Sequence, residues 1–193
     1  MVVLNSLFSY SYLNLKFWYK KGYTTMEDLE NRIQILHDWI ENSQKIVFFG
    51  GAGVSTESGI PDFRSKDGLY NQKYAYPPEV ILSHSFYKQD PATFFAFYRD
   101  NMLYPQAKPN LVHQYLFYLE KLGKQVDIVT QNIDGLHQCA GSTSVWELHG
   151  SVYRNHCERC NRFYSLEEIL QTEGIPYCSC GGIIRPDVVL YEE

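Results

Sequence analysis

The chain has 193 residues, enough for one domain with a hydrophobic core or for one domain that carries a small satellite module. Hydrophobic residues make up 45% of it and charged residues 20%, so the composition is globular and excludes extensive disorder. The net charge of -5 argues against direct nucleic-acid binding, which favours a basic excess, and permits a basic partner such as a lysine-rich protein tail.

The first 25 residues predict neither export nor a membrane span. Polar residues break their apolar run before it reaches the ~18 residues that a transmembrane helix needs, and the lysines follow the apolar part, the reverse of a secretory signal. A weak membrane-surface role stays open as an alternative. The preferred interpretation is that residues 1–25 are an atypical, non-native extension before a domain that begins at Met26. We expect a cytoplasmic protein without a membrane partner.

Three stretches have the periodicity of amphipathic helices. The first covers residues 28–42, and Thr24 with Glu27 fits a capping box before it. The second, PATFFAFYRDNML (91–103), begins with a proline suited to a first helical turn, and most of its aromatic side chains are expected in the core. The third spans about 111–122. The face that it is predicted to bury consists of Leu111, Tyr115, Tyr118 and Leu122.

Three short apolar runs are predicted to be strands: KIVFF (45–49), which is expected to be buried, VDIVT (126–130) and SVWEL (144–148). Helices separate the first run from the second, and a short helix separates the second from the third. This alternation predicts an α/β fold with a Rossmann-like parallel sheet.

Each predicted strand leads into a polar segment: GGAGVSTESGIPDFR, QNIDGLH and HGS, in that order. In open α/β sheets, ligands bind in the crevice beyond the carboxyl ends of the strands. The shared position of the three segments therefore predicts a single ligand site.

The glycines of the first segment suit a close approach to a ligand. A helix that starts near Val54 would offer backbone amides to a pyrophosphate, next to the glycines at 50, 51 and 53. The usual dinucleotide fingerprint is only half matched, because Thr56 stands where its third glycine would be. Taken alone, these glycines suit a structural turn as well as a phosphate site.

The polar residues of the other two segments are equally ambiguous when taken alone. His137 and His149 suit either a hydrogen-bonded structural group or a general base near neutral pH. Asn132 and Asp134 also suit turns.

Four cysteines cluster near the end of the chain, as Cys157-x2-Cys160 and Cys178-x-Cys180. Without an export signal, this spacing favours a metal site over disulfides, and four thiolates predict a structural zinc ion with no open coordination position. Reduced thiols without a metal are the alternative, and His156 is a competing ligand. Cys139 stands apart and is expected to be buried.

The segments GAGVSTESGIPDFR (51–64), TQNIDGLH (130–137) and LHG (148–150), followed by the four-cysteine module, resemble the sirtuins of bacterial type, which are NAD-dependent protein deacylases. The resemblance runs from about Met26 to Glu193. It implies a Rossmann-like domain over 26–150 with a cofactor-loop and helical insertion at about 60–109, a zinc-binding module over 151–182, and the start of a return to the first domain over 183–193.

The resemblance also implies roles for individual residues. Those implied to bind NAD are Gly51, Ala52, Gly53, Ser55, Thr56, Asp62, Phe63, Arg64, Gln131, Asn132, Ile133 and Asp134. His149 would be the general base that acts on a ribose hydroxyl. The acetyl-lysine peptide would dock as an added strand along Val188, Val189, Leu190 and Tyr191.

The implied reaction is deacetylation of protein lysines, with the acetyl group transferred to ADP-ribose and nicotinamide released. Some relatives that remove acidic acyl groups carry a Tyr-x-x-Arg pair, and here Asn101 stands where that arginine would be. We therefore expect acetyl or another neutral acyl group. The sequence does not predict the oligomeric state.

The chain ends at IRPDVVLYEE (184–193), where the family returns to its sheet, so we expect a C-terminally truncated protein. Two alternatives follow: an inactive fragment that binds zinc and peptide, and a minor mono-ADP-ribosyltransferase activity. A nicotinamide-dependent oxidoreductase is disfavoured by Thr56 and by motifs that hydride transfer does not require.

Overall fold

The computed structural model describes residues 26–62 and 75–193, and the expectations for residues 1–25, Phe63 and Arg64 lie outside that part of the chain. The chain divides into two units, residues 1–44 and 45–193. In the first unit, helix α1 runs over Met26–Asn42, as predicted for 28–42. Acidic side chains occupy its first turn, where they interact favourably with the helix dipole.

The second unit begins with a parallel sheet. Its strands are β1 (Lys45–Gly50), β2 (Gln125–Thr130) and β3 (Val145–Glu147), in the order β1-β2-β3. The carboxyl ends of the three strands lie side by side, because Gly50 pairs with Thr130 and Thr130 pairs with Glu147. All three polar segments therefore leave the sheet at one edge, as predicted.

Two short 3-10 turns follow β1, over Ala52–Val54 and Thr56–Ser58. These turns stand where a helix starting near Val54 would have offered its amides to a pyrophosphate. Ser55 and Gly59 end the two turns, with Gly59 in the left-handed conformation at φ 83°, so the chain reverses before a longer helix can form.

The described helices between β1 and β2 are α2 (Pro78–Ile81), α3 (His84–Gln89), α4 (Pro91–Met102) and α5 (Leu111–Lys121). Asp90 caps α4 by accepting a hydrogen bond from the Thr93 backbone at 3.1 Å. The aromatic side chains of α4 are core residues, as predicted: Phe94, Phe95, Phe97 and Tyr98 are all buried. Burying each such side chain stabilises the fold by about 1.5–3 kcal/mol.

The predicted buried face of α5 is wrong. The helix buries His113, Leu116 and Leu119, whereas Leu111 and Leu122 are each 55% exposed. The buried residues face β2 and helix α6 (Leu136–Ala140), the elements on which α5 packs. Apolar residues recur at helical spacing on both sides of α5, so the periodicity alone did not identify the packed side.

A second sheet holds the cysteine module. It consists of β4 (Gly150–Cys157), β5 (Phe163–Tyr164) and β6 (Ile184–Val188), antiparallel in the order β5-β4-β6, with helix α7 (Leu166–Leu170) after β5. Residues 184–188 pair with β4, so the first part of the segment 183–193 is a strand of this sheet.

Among the described residues, no helix has the length and apolar character needed to cross a bilayer.

Candidate active site and metal centre

A cavity of about 580 Å³ lies at the carboxyl edge of the parallel sheet. Residues that follow β1, β2 and β3 contribute to its wall, as Ser55, Asn132 and His149 do, and the chain after β6 forms another side. The predicted site residues that line it are Ala52, Ser55, Asp62, Gln131, Asn132, Ile133, Asp134, His149, Val188, Val189, Leu190 and Tyr191.

A hydrogen-bond network joins the first two polar segments. The fully buried Ser55 hydroxyl donates to Asp134 Oδ2 at 2.6 Å and accepts a bond from Asn132 Nδ2 at 2.9 Å. Asp134 Oδ1 also accepts the backbone N–H of Leu136 at 2.9 Å, at the start of α6. The loop after β2 is therefore fixed both to the loop after β1 and to the helix behind it.

The ring of His149 has a defined proton arrangement. Its Nδ1 lies 3.0 Å from the backbone carbonyl oxygen of Gln131. Because a carbonyl only accepts, Nδ1 carries the proton in the neutral ring, and Nε2 is left with a lone pair. The side chain is exposed in the cavity wall. This arrangement suits a general base.

The backbone around His149 is packed tightly against the proposed peptide-docking segment. The His149 carbonyl accepts the N–H of Val189 at 3.1 Å. Gly150 has a φ of 77°, and a Cβ there would lie 1.9 Å from the Asp187 carbonyl oxygen. Only glycine allows this approach.

The four clustered cysteines fit a zinc ion. Their sulfur atoms all lie within 4.8 Å of one another, with Cys157 and Cys180 at 3.4 Å and Cys160 and Cys178 at 3.6 Å. Tetrahedral Zn–S bonds of about 2.3 Å imply sulfur separations of about 3.8 Å. All four are free cysteines.

The surroundings of Cys178 favour its thiolate form. The backbone N–H of Cys180 and the hydroxyl of Tyr164 lower the pKa of Cys178. Cys139, by contrast, is exposed, so its predicted burial is wrong. It lies in the last turn of the short helix α6, close to the surface loop that begins at Gly141.

Comparison with known proteins identifies the family. The Sir2 family model matches residues 51–193. The chain belongs to the Sir2 family. An NAD-dependent protein deacetylase of Clostridium perfringens is 56% identical over 168 residues, covering 86% of this chain and 69% of that protein. One of Clostridium tetani is 60% identical over 162 residues, covering 82% and 66%.

Solved Sir2 structures agree with this assignment. A Sir2 variant with a deacetylated p53 peptide and 3′-O-acetyl-ADP-ribose has a TM-score of 0.74 at 39% identity, covering 83% of this chain and 66% of that one. A Sir2–p53 peptide–NAD+ complex has a TM-score of 0.70 at 39% identity, covering 83% and 65%. This Sir2 chain thus spans about two thirds of the length of its relatives. The predicted family, fold class and enzyme class are confirmed.

Some predicted NAD residues of this Sir2 chain are not in the cavity wall. Gly51, Gly53 and Thr56 do not line it. The Thr56 hydroxyl donates to the Gly53 carbonyl at 3.0 Å, which is a local turn contact. A Cβ on Gly53 would meet no atom within 4 Å, so open space adjoins the backbone there. Their role in NAD binding stays a prediction.

The prediction of site residues from the sequence omitted many of the residues that line the cavity. The missed residues are Ile60, Pro61, Leu82, Met102, Tyr104, Val152, Tyr153 and Leu166. Tyr98 and Asn101, considered for the acyl pocket, lie in the same wall and are buried. Most of these side chains come from the helical insertion and the second sheet, and no motif or spacing connects them in the sequence.

His137 has a different environment from His149. It is buried, its ring centroid is 4.5 Å from that of His113, and it is not part of the cavity wall. Neither of its ring nitrogens has a hydrogen-bond partner among the described residues. His137 is therefore a buried packing residue next to His113, and not the hydrogen-bonded structural group that the sequence suggested as the alternative to a catalyst.

Proposed function

We propose that this chain is an NAD-dependent protein-lysine deacetylase. It transfers the acetyl group of a modified lysine to ADP-ribose and releases nicotinamide and O-acetyl-ADP-ribose. The observation that carries the proposal is that His149, the Ser55–Asn132–Asp134 network and the Val188–Tyr191 segment border one cavity.

NAD supplies the reactive ribose carbon and the leaving nicotinamide. Ala52 and Ser55 hold its phosphate side, and the loop Asn132–Asp134 surrounds the nicotinamide. His149 Nε2 accepts the proton of a ribose hydroxyl, since its Nδ1 is already bonded to Gln131. The contribution of the protein is to orient these groups and to keep water from the ribose carbon until the acetyl oxygen has attacked it and nicotinamide has left. One water molecule is then consumed, when the free lysine amine and O-acetyl-ADP-ribose are released.

The second substrate is an acetyl-lysine in an extended peptide. The peptide pairs with Val188–Tyr191 as an added strand, and the lysine enters the cavity beside Ile133 and Val152. Related Sir2 structures contain p53 or acetylated peptides, which supports this substrate class. With Asn101 in the wall and no cation described there, the acyl group is acetyl or another neutral one.

One zinc ion, bound by Cys157, Cys160, Cys178 and Cys180, holds the second sheet together. The thiolates require a reducing compartment, so we place the protein in the cytoplasm.

The test is mass spectrometry of an acetyl-lysine peptide incubated with NAD and the zinc-loaded chain, alongside His149→Ala. We expect deacetylated peptide and O-acetyl-ADP-ribose, reduced about 10²–10⁴-fold in the variant because a general base is lost. His37→Ala, on α1, is the matched control and retains activity. Peptide and zinc binding without any product would instead support the inactive fragment.

A further inference from the structure

Glu192 lies directly after the segment proposed to bind the peptide, and its backbone is unusual. Its φ of 80° is in the left-handed region, which only a few per cent of non-glycine residues adopt. Such a conformation is unfavourable unless its surroundings stabilise it, and residues held in this way cluster at functional sites.

Two hydrogen bonds hold the Glu192 carboxylate in place. The backbone N–H of Ser85 donates to Oε2 at 2.9 Å, and the Ser85 hydroxyl donates to Oε1 at 3.0 Å. The preceding residue is fixed to the same helix start, because the Tyr191 carbonyl accepts the N–H of His84 at 3.0 Å. A negative charge is therefore anchored at the end of the docking segment.

The Glu192 carboxylate differs from the neighbouring carboxylates in its partners, because those form ion pairs with arginines. Glu193 lies 2.6 Å from Arg185 Nη2, and Asp187 lies 3.2 Å from Arg154 Nε. Glu192 is exposed, its hydrogen-bond donors are uncharged, and it forms no ion pair with any described residue. The charge at Glu192 is thus left for a ligand to neutralise.

We infer that Glu192 selects substrate peptides in which a lysine or arginine lies within three residues of the acetyl-lysine. The inference rests on the proposed function, since it requires a peptide strand beside Val188–Tyr191. Extended residues advance about 3.3 Å each, so flanking side chains pass within reach of the carboxylate. The net charge of -5 adds a general attraction for basic segments.

A purely structural role makes a different prediction. If Glu192 only caps the start of α3 through Ser85, its loss changes stability and affects all peptides equally. Selection by charge instead changes the ratio between peptides of different charge. The ratio is therefore the quantity to measure.

The experiment compares the binding of three fluorescent acetyl-lysine peptides of equal length to the zinc-loaded chain by anisotropy. Their flanking residues are lysines, alanines or glutamates. At low salt we expect the lysine peptide to bind about 1.5- to 5-fold more tightly than the alanine peptide, as for one exposed ion pair. The glutamate peptide binds most weakly, and 0.5 M salt reduces the differences.

Glu192→Gln keeps the shape of the side chain and removes its charge, so the lysine-to-alanine ratio falls to about one. Glu192→Gly also removes the charge, so the lysine-to-alanine ratio again falls to about one. Because glycine adopts the left-handed conformation without strain, a lost ratio in this variant is not due to a loss of folding. Glu173→Gln removes one exposed carboxylate that does not adjoin the Val188–Tyr191 segment in sequence, and it keeps the ratio. An unchanged ratio in both Glu192 variants overturns the inference alone. If no acetylated peptide binds, the proposed function fails together with it.

Discussion

At the scale of single residues, Ser55 shows how one buried hydroxyl organises a site. It satisfies both Asp134 and Asn132, so removing it leaves two polar groups without their partner. We expect Ser55→Ala to lower the free energy of unfolding by about 1–3 kcal/mol and to raise the KM for NAD more than it lowers kcat. Urea unfolding and steady-state kinetics measure the two effects.

The neighbouring residue provides the control for Ser55. Thr56 is exposed, and within residues 26–62 and 75–193 its hydroxyl donates to the Gly53 carbonyl alone. Thr56→Val is therefore expected to change stability by less than about 1 kcal/mol. If the two variants lose the same free energy of unfolding, the buried hydrogen-bond network contributes no more to stability than the exposed turn contact does.

Two glycines are expected to respond in opposite ways to alanine. In Gly150→Ala, the new Cβ would lie 1.9 Å from a backbone oxygen at a positive φ, so the free energy of unfolding falls by at least about 2 kcal/mol. In Gly53→Ala, the Cβ enters open space, so stability is kept and NAD binding weakens because the Cβ takes up room beside the backbone. Thermal unfolding and NAD titration distinguish them; a stable Gly150→Ala protein would contradict the geometry.

At the scale of elements, the antiparallel sheet depends on its metal. We expect one zinc per chain by elemental analysis, lost on treatment with a strong chelator. Amide hydrogens of β4 and β6 then exchange faster with solvent. Without the metal ion, the four thiolates repel one another, and the loops that carry them at the end of this sheet move apart. Cys178→Ala reproduces the effect, whereas Cys139→Ala, outside the cluster, retains zinc. If the amide hydrogens of β4 stay fully protected from exchange after the chelator has removed zinc, the sheet does not depend on the metal.

Much of this element structure was predictable, for reasons that differ between elements. The strands β1, β2 and β3 are short apolar runs, so a local pattern defines them. The burial predicted for β1 is wrong, because Val47 and Phe49 are 71% and 63% exposed and the pattern does not show which face of a strand is covered. The packed side of α5 was not predictable, because Leu111 and Leu116 are equally apolar and only their neighbours in space distinguish them. The cavity wall around Leu82 and Tyr153 likewise depends on tertiary contacts.

At the scale of the whole molecule, a buried histidine pair is expected to reduce stability at acidic pH. Burial, together with the nearby His113, lowers the pKa of His137 to about 4, against a smaller opposing effect of Asp134. The unfolded chain takes up this proton near pH 6.5 and the folded chain only near pH 4. Stability is therefore complete above about pH 6.5 and decreases as the pH falls towards 4.

The corresponding measurement is urea unfolding at several pH values between 4.5 and 7.5. Each unit of pKa displacement corresponds to about 1.4 kcal/mol, so the loss in the wild type should be clear. His137→Leu is expected to reduce the slope, with the remainder due to His113, whose pKa is also lowered by burial. His37→Leu, at a half-buried histidine of α1 that is not part of this pair, is the comparison variant.

The hydrogen bond between His149 and Val189 joins two points that are 40 residues apart in sequence, and the cysteine module lies between them. Its entry and exit points therefore touch, as they do when one domain is inserted into a loop of another. Such an arrangement lets the far end of the inserted part lengthen or shorten while the distance between its two anchor points stays the same. The near end has no such freedom, because Val152, Tyr153 and Leu166 line the cavity.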